Sequence, residues 1–147
     1  MHVTGSCHCN KVNFTAVIDE DKVMVCHCTD CQILGSSAFR FGALVKKQTF
    51  NLLGDVKEYI KIGSSGARRA MVFCPNCATS IYSYAPDDKD GAYISLRLGP
   101  VHQRELFTPK FQIWCRSALP WVERLTETPS SQQQEVIATY IAKITEH

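Results

Sequence analysis

The 147-residue sequence has no long hydrophobic run, no glycine-rich phosphate loop and no concentrated basic stripe. A membrane-spanning helix needs roughly 18 to 20 consecutive apolar residues, and no stretch approaches that length. Residues 1–10 also lack the apolar core of a secretory signal, so we expect a soluble, cytoplasmic protein. Because neither a phosphate loop nor an alternating strand–helix pattern is present, a Rossmann-like nucleotide-binding sheet is not expected.

Cysteine, in contrast, is abundant, with eight residues in the chain. Seven of them fall into three groups, namely Cys7-His8-Cys9, Cys26-His27-Cys28-Thr29-Asp30-Cys31 and Cys74-Pro75-Asn76-Cys77. The eighth, Cys115, stands alone. Cysteines in a reducing cytoplasm rarely form disulfides, so this clustered spacing favours metal binding. We predict that the seven clustered cysteines hold two zinc ions per chain.

The spacing within each group suits tetrahedral zinc. Zinc–sulfur bonds are about 2.3 Å long, which places the sulfurs roughly 3.8 Å apart. A Cys-x-x-Cys turn folds two side chains to that separation, and Pro75 and Asn76 favour such a turn. A Cys-x-Cys pair places two sulfurs on the same side of an extended segment.

Seven ligands cannot form two closed four-cysteine sites. An open site with three protein ligands is typical of catalytic zinc, whereas a closed site is typical of structural zinc. Residues 26–31 span only six positions and can wrap one metal locally, which favours Cys26, Cys28 and Cys31 as the open site. Cys7, Cys9, Cys74 and Cys77 then form the closed site, although an interleaved pairing also satisfies the spacing.

The charge balance changes once these cysteines are counted as ligands. The formal net charge of +2 treats every cysteine as a neutral thiol. Zinc ligands are thiolates, so seven thiolates and two zinc ions together shift the charge by −3, to −1. We therefore expect neither a nucleic acid nor a membrane surface as partner. The sequence gives no indication of oligomeric state.

The rest of the sequence favours a mainly β fold in a single domain over residues 1–147. Short alternating or apolar runs punctuated by Gly, Pro and Asp predict strands. They cover residues 11–17, 22–25, 38–45, 58–62, 69–73, 80–84, 93–98 and 111–115. One C-terminal helix is predicted over about 130–145, because Val136, Ile137, Tyr140, Ile141 and Ile144 recur at helical spacing. We expect this apolar stripe to pack on the sheets.

Four motifs resemble those of the glutathione-dependent formaldehyde-activating enzyme family, which includes centromere protein V relatives. They are Ser6-Cys7-His8-Cys9-Asn10-Lys11-Val12-Asn13-Phe14, the Cys26–Gln32 stretch, Phe73-Cys74-Pro75-Asn76-Cys77-Ala78-Thr79-Ser80-Ile81-Tyr82 and Ala118-Leu119-Pro120-Trp121. Together the motifs span about residues 3–125 in the family's order. Asn10 and Ala78 stand where the family usually has glycine, and a left-handed Ala78 would cost about 1 kcal/mol.

The resemblance implies twisted antiparallel β-sheets around a structural zinc, a fold shared with small zinc proteins that chaperone Rab GTPases. It assigns the structural zinc to Cys7, Cys9, Cys74 and Cys77, and the catalytic zinc to Cys26, Cys28 and Cys31. It also implies a carbon–sulfur lyase that joins formaldehyde to glutathione, giving S-(hydroxymethyl)glutathione. Three thiolates already make the zinc site anionic, so we expect it to position the glutathione sulfur more than it activates it.

Glutathione carries two carboxylates, so a binding pocket should offer cations. The candidates are Arg40, Arg68, Arg69, Arg97 and Arg116, although each alone is more typical of a solvated surface. Gln32, Ser36 and Ser37 follow the open cluster and are candidate hydrogen-bond donors. We expect His8 and His27 to point away from the metal, with a proton-shuttle role for His27 left open. Packing roles are expected for Trp114, Trp121 and a buried, inert Cys115.

Two other functions fit the same residues. One is a non-catalytic zinc module that carries glutathione or binds a protein or nucleic acid. The other keeps the zinc–thiol chemistry but uses a different thiol or aldehyde adduct. The vacant fourth position favours small-molecule chemistry over a binding module.

Overall fold

The computed structural model describes residues 1–134 and 137–145, in which ten strands and two α-helices form. The strands are β1 (His2–Ser6), β2 (Asn13–Val17), β3 (Val23–Cys26), β4 (Arg40–Lys46), β5 (Asn51–Leu53), β6 (Lys57–Ile62), β7 (Arg68–Phe73), β8 (Ser80–Tyr84), β9 (Tyr93–Arg97) and β10 (Phe111–Ile113). The helices are α1 (Thr29–Gly35) and α2 (Ile137–Thr145). The predicted mainly β fold is confirmed.

The strands form two sheets. A three-stranded sheet has the order β1-β2-β5, and a seven-stranded sheet has the order β10-β3-β4-β9-β8-β7-β6. All strand pairs are antiparallel except β10 with β3, which run parallel. The sequence patterns did not reveal β1 or β5, which are the two edge strands of the three-stranded sheet.

One hydrophobic core joins the two sheets. Phe14 and Ala16 of β2 are buried, as are Ile94 and Leu96 of β9, in agreement with the alternation in the sequence. Gly5 of β1 lies directly against Phe14, since a Cβ at Gly5 would come within 2.1 Å of the Phe14 ring. Because side chains alternate along a strand, the residues next to Ile94 and Leu96 project from the opposite face of the seven-stranded sheet. That opposite face carries the site described below.

The two helices differ from the sequence expectations. Helix α1 was not predicted, and α2 covers only part of the predicted 130–145 helix. Ile141 of α2 is 49% exposed, so this residue of the apolar stripe does not pack into the core. The other stripe positions fall outside the described part of the chain, namely Val136 and the side chains of Ile137, Tyr140 and Ile144. No helical segment of the described ranges has the length and hydropathy of a membrane span.

The end of β10 corrects a second expectation. Trp114 adopts a left-handed conformation with φ 58°, which ends the strand at Ile113 and starts a 3-10 helix at Cys115. Cys115 is therefore exposed, so the prediction of a buried thiol beside Phe111 and Ile113 is wrong. The strand pairs with β3 on one side only, and Phe111 and Ile113 are themselves partly exposed.

Ala78 provides a test of backbone strain in this fold. Its φ of 60° lies in the left-handed region, where an L side chain costs about 1 kcal/mol. We expect Ala78→Gly to raise the free energy of unfolding by about 0.5–1 kcal/mol, measured by urea denaturation. Ala118→Gly is the matched control, because Ala118 has φ −60°. At that position glycine should only lower stability, and equal effects at both positions would contradict the strain assignment.

Candidate metal centres and the adjoining cleft

Four cysteines meet where the segment after β1 of the three-stranded sheet contacts the turn between β7 and β8 of the seven-stranded sheet. Cys7 and Cys9 follow β1, Cys74 and Cys77 lie between β7 and β8, and their four sulfurs lie within 4.8 Å of one another. The Sγ–Sγ distance is 3.5 Å between Cys7 and Cys9 and 3.7 Å between Cys9 and Cys74, close to the roughly 3.8 Å of tetrahedral zinc. This four-sulfur arrangement can hold a metal ion, and it is the grouping preferred from the sequence.

Tight turns hold these sulfurs in place. The Asn10 amide donates to the Cys7 carbonyl at 2.9 Å, and the Ala78 amide donates to the Cys74 carbonyl at 2.9 Å. Asn10 has φ 61°, nearly the same as Ala78, so both departures from glycine keep the left-handed turn. In addition, the Val12 amide donates to the Cys7 sulfur at 3.2 Å. Such amide donors stabilise thiolates, the form that binds metal.

Thr79 connects the two halves of this cluster. Its Oγ1 accepts from the His8 amide at 3.1 Å and lies 3.2 Å from the Cys77 sulfur. The hydrogen bonds from Thr79 hold the pKa of Cys77 at about 5, well below the ordinary thiol value. The backbone amide of Lys11 likewise lowers the pKa of Cys9. Two of the four cysteines, Cys9 and Cys77, are therefore favoured as thiolates by the turns around them.

Three further cysteines meet where β3 passes into α1. Cys26 ends β3, Cys28 is the N-cap of α1, and Cys31 lies in its first turn, with all three sulfurs within 4.8 Å. The Cys31 amide donates to the Cys28 sulfur at 3.3 Å, so a cysteine takes the capping role usually filled by Ser, Thr or Asp. The sulfurs of Cys28 and Cys31 lie 2.9 Å apart. This second set can also hold a metal ion.

Two thiols of the three-cysteine cluster have pKa values shifted in opposite directions. Cys31 is only 3% exposed, and burial raises its pKa. Burial also opposes ionisation of Cys28, but hydrogen bonds from Cys31 outweigh it and lower the pKa of Cys28. Both clusters offer sulfur ligands alone, a donor set that suits zinc.

Strand β10 and the segment that follows it brace the three-cysteine loop. His27 is 2% exposed, and its Nε2 lies 2.8 Å from Oε1 of Gln112. Its amide donates to the Ile113 carbonyl at 3.0 Å. Gln32 donates from Nε2 to the carbonyls of His27 and Ser117, at 2.7 and 2.9 Å. Gln32 therefore holds the loop to this segment. Both hydrogen bonds donated by its side-chain amide are made within the fold rather than to a ligand.

A cavity of about 420 Å³ lies on the face of the seven-stranded sheet opposite the core, and all three cysteines of the second cluster line it. Apolar walls come from Met24, Leu44, Met71 and Trp114. Cations line it as well, namely Arg40, Lys47, Lys61 and Arg69, together with one acid, Asp88. Lys61 also forms an ion pair with Asp30 of α1. We call this cavity the cleft.

The candidate arginines prove to have different environments. Arg40 and Arg69 line the cleft, whereas Arg68 pairs with Asp87 on the surface at 3.1 Å. The guanidinium of Arg116 stacks on the Trp114 ring, 4.9 Å from its centroid. Sequence reasoning missed Lys47 and Lys61, because lysines give no local signal of the cavity they will line.

Arg97 corrects the expectation of a surface arginine. It is only 7% exposed, and its Nη1 donates to the carbonyl and hydroxyl oxygens of Ser95, each at 3.2 Å. Burial, and then the nearby Arg40 charge, lowers the pKa of Arg97 to about 9, so it stays a cation at neutral pH. Arg40 itself donates from Nη2 to the Cys31 sulfur at 2.7 Å.

The remaining candidates take other roles. Trp114 is 48% exposed and lines the cleft, and Trp121 is equally exposed. The expectation that both are packing residues is therefore wrong. Ser36 ends α1 in a left-handed conformation, and Ser37 donates to the Phe39 carbonyl at 2.5 Å. Neither serine lines the cleft.

Comparisons with known proteins agree with these observations. The family model described as glutathione-dependent formaldehyde-activating enzyme matches residues 2–117. A Schizosaccharomyces pombe protein named an uncharacterized lyase is 33% identical over 91 residues, which cover 62% of this chain and 64% of that relative's length. A crystal structure of a Rhodobacter sphaeroides protein matches with a TM-score of 0.56 and 14% identity, over 74% of this chain and 98% of that one. The latter likeness concerns the fold alone.

Proposed function

Because the chain belongs to the glutathione-dependent formaldehyde-activating enzyme family, we propose that it is a zinc-dependent carbon–sulfur lyase acting on glutathione and formaldehyde or a related aldehyde. The name of the yeast relative, a lyase, is consistent with this class. The observation that carries the proposal is the three-cysteine cluster lining a cleft with four cationic side chains. A thiol with two carboxylates matches that combination of sulfur site and positive charge.

Each cysteine cluster has its own role in this proposal. Cys7, Cys9, Cys74 and Cys77 hold a structural zinc that ties β1 to the β7–β8 turn. Cys26, Cys28 and Cys31 hold the catalytic zinc. A zinc ion there supplies a binding position for sulfur and lowers the pKa of a thiol from about 8.5.

The side chains of the cleft bind and orient the two reactants. Lys47 and Arg69 meet the carboxylates of glutathione, while Met24, Leu44 and Met71 exclude water from the reacting sulfur. In the reaction the sulfur adds to the carbonyl carbon, and the proton lost by the thiol ends on the new hydroxymethyl oxygen. No atom is lost, so the residues need only hold the reactants together, and positioning supplies the rate gain.

Exchange NMR tests the activity directly. Formaldehyde and glutathione are equilibrated with zinc-loaded protein, and the rate of exchange with S-(hydroxymethyl)glutathione is compared with buffer. We expect a faster exchange, and the same acceleration from Cys115→Ala, because Cys115 is exposed and outside the cleft. Exchange at the buffer rate with glutathione still bound would instead favour a carrier, and exchange without binding would favour a non-catalytic module.

Arg69 should contribute to glutathione recognition. We expect Arg69→Gln to raise KM for glutathione several-fold and to change kcat little, because a carboxylate contact is made equally before and during the reaction. Its neighbour Arg68 is the matched control, since it lies on the same strand but pairs with Asp87 outside the cleft. A KM effect of the same size in Arg68→Gln would show that overall charge, and not the cleft contact, is responsible.

A further inference from the structure

Two arginines beside the three-cysteine cluster have no carboxylate partner. Among residues 1–134 and 137–145, neither Arg40 nor Arg97 forms an ion pair with an acidic side chain. Nη2 of Arg97 is buried without any hydrogen-bond partner. A buried, unpaired cation is strongly unfavourable, so its counter-charge must come from another group nearby.

The cysteine sulfurs are the anionic groups available to these arginines. Arg40 donates directly to the Cys31 sulfur at 2.7 Å. Arg97 and Arg40 line a common cavity of about 280 Å³ next to the end of α1. Strand register explains how Arg97 reaches this position: it is paired with Gly42 of β4, which has no side chain, while Arg40 is paired with Cys26 of β3.

The charges then determine what the centre prefers to bind. Three thiolates and a divalent zinc ion carry a net charge of −1, and the two guanidiniums change this to +1. A neutral fourth ligand leaves that excess positive charge in place, whereas one more thiolate brings the total to zero. The nearby Lys61 does not alter this count, because Asp30 neutralises it.

We propose that Arg40 and Arg97 are specificity-determining residues that make the three-cysteine centre select an anionic sulfur ligand over a neutral one. Arg40 acts by direct contact with a ligand cysteine, and Arg97 acts as a positioning residue through its charge, which Ser95 holds in place. This inference rests on the proposed metal centre, but it does not require glutathione or formaldehyde to be the substrates.

The test uses small ligands that lack carboxylates, so that Lys47 and Arg69 have no carboxylate to contact. Protein with Co²⁺ in its metal sites is titrated with 2-mercaptoethanol, which binds as an anion, and with imidazole, which binds as a neutral molecule. Changes in the visible absorption of the cobalt give both dissociation constants without any activity measurement. The unmodified protein should bind the thiol more tightly than imidazole.

Arg97→Met removes the charge but keeps much of the side-chain volume. We expect it to weaken 2-mercaptoethanol binding about tenfold and to change imidazole binding less than about twofold, because only the anion interacts with the lost charge. Arg97→Lys should restore most of the thiol affinity. Arg68→Met, which removes the same charge from the surface, should have no effect on either ligand.

Three results would overturn the inference. They are unchanged thiol affinity in Arg97→Met, equal weakening of both ligands, and a lack of thiol preference in the unmodified protein. If Arg97→Met does not fold, Arg40→Met gives the same comparison at a less buried position. A protein that retains thiol selectivity but fails the exchange NMR test would refute the proposed substrates and leave this inference standing.

Discussion

Replacement of Cys77 by alanine is expected to unfold the protein or to lower its free energy of unfolding by more than about 3 kcal/mol. Cys77 joins Cys7, Cys9 and Cys74 in the four-sulfur cluster, whose members adjoin strands of both sheets. Removing one ligand from a closed zinc site loses most of the metal's contribution to folding, because a structural site is not formed in the unfolded chain.

Thermal unfolding followed by circular dichroism measures this effect. Cys115→Ala is the matched control, since Cys115 is exposed and belongs to neither cluster, and its change should stay within about 0.5 kcal/mol. Addition of a strong zinc chelator to the unmodified protein should reproduce the loss seen in Cys77→Ala. If Cys77→Ala unfolds at the temperature of the control, the four-cysteine cluster does not hold a structural metal.

Cys28→Ser is expected to abolish the acceleration of formaldehyde–glutathione exchange, a loss of at least about a hundredfold, while the fold remains. Serine can replace the capping contact that the Cys28 sulfur makes with the Cys31 amide, so α1 keeps its N-cap. The hydroxyl is not a thiolate, however, and the open cluster is left with two sulfurs. Exchange NMR and circular dichroism on the same sample give both results.

Cys28→Ala separates capping from metal binding. It should be as inactive as Cys28→Ser but less stable by about 1 kcal/mol, because alanine cannot cap the helix. Retained activity in either variant would remove Cys28 from the chemistry. Equal loss of thermal stability in Cys28→Ser and Cys77→Ala would contradict the division into one structural and one catalytic cluster.

The sequence predicted the parts of the fold that depend on local pattern. Phe14 and Ala16, and Ile94 and Leu96, alternate along their strands and are buried as expected. The C-x-C and C-x-x-C spacings predicted metal-binding sulfur clusters and favoured one grouping over an interleaved pairing, and the structure brings together the favoured groups. The burial of alternate strand residues follows from residue spacing alone, whereas the choice between the two cysteine groupings depends on the fold. The single-domain organisation and the cytoplasmic location stay predictions.

Features that depend on tertiary context were missed. Helix α1 has seven residues and is capped by Cys28, a residue type that gives no usual start signal. Arg97 is buried because the strand pairing places it opposite Gly42, and no sequence pattern specifies that register. The prediction of a buried Cys115 is wrong because the strand ends at Ile113, where Trp114 takes a left-handed conformation that no sequence pattern indicates.

Native mass spectrometry of freshly purified, reduced protein with glutathione tests the central claim most directly, because it counts metals and ligand in one measurement. The two-cluster account predicts two zinc ions and one glutathione per unmodified chain, and one zinc ion without glutathione for Cys28→Ser. A single zinc ion in the unmodified protein, or the same amount of bound glutathione in Cys28→Ser, would contradict it.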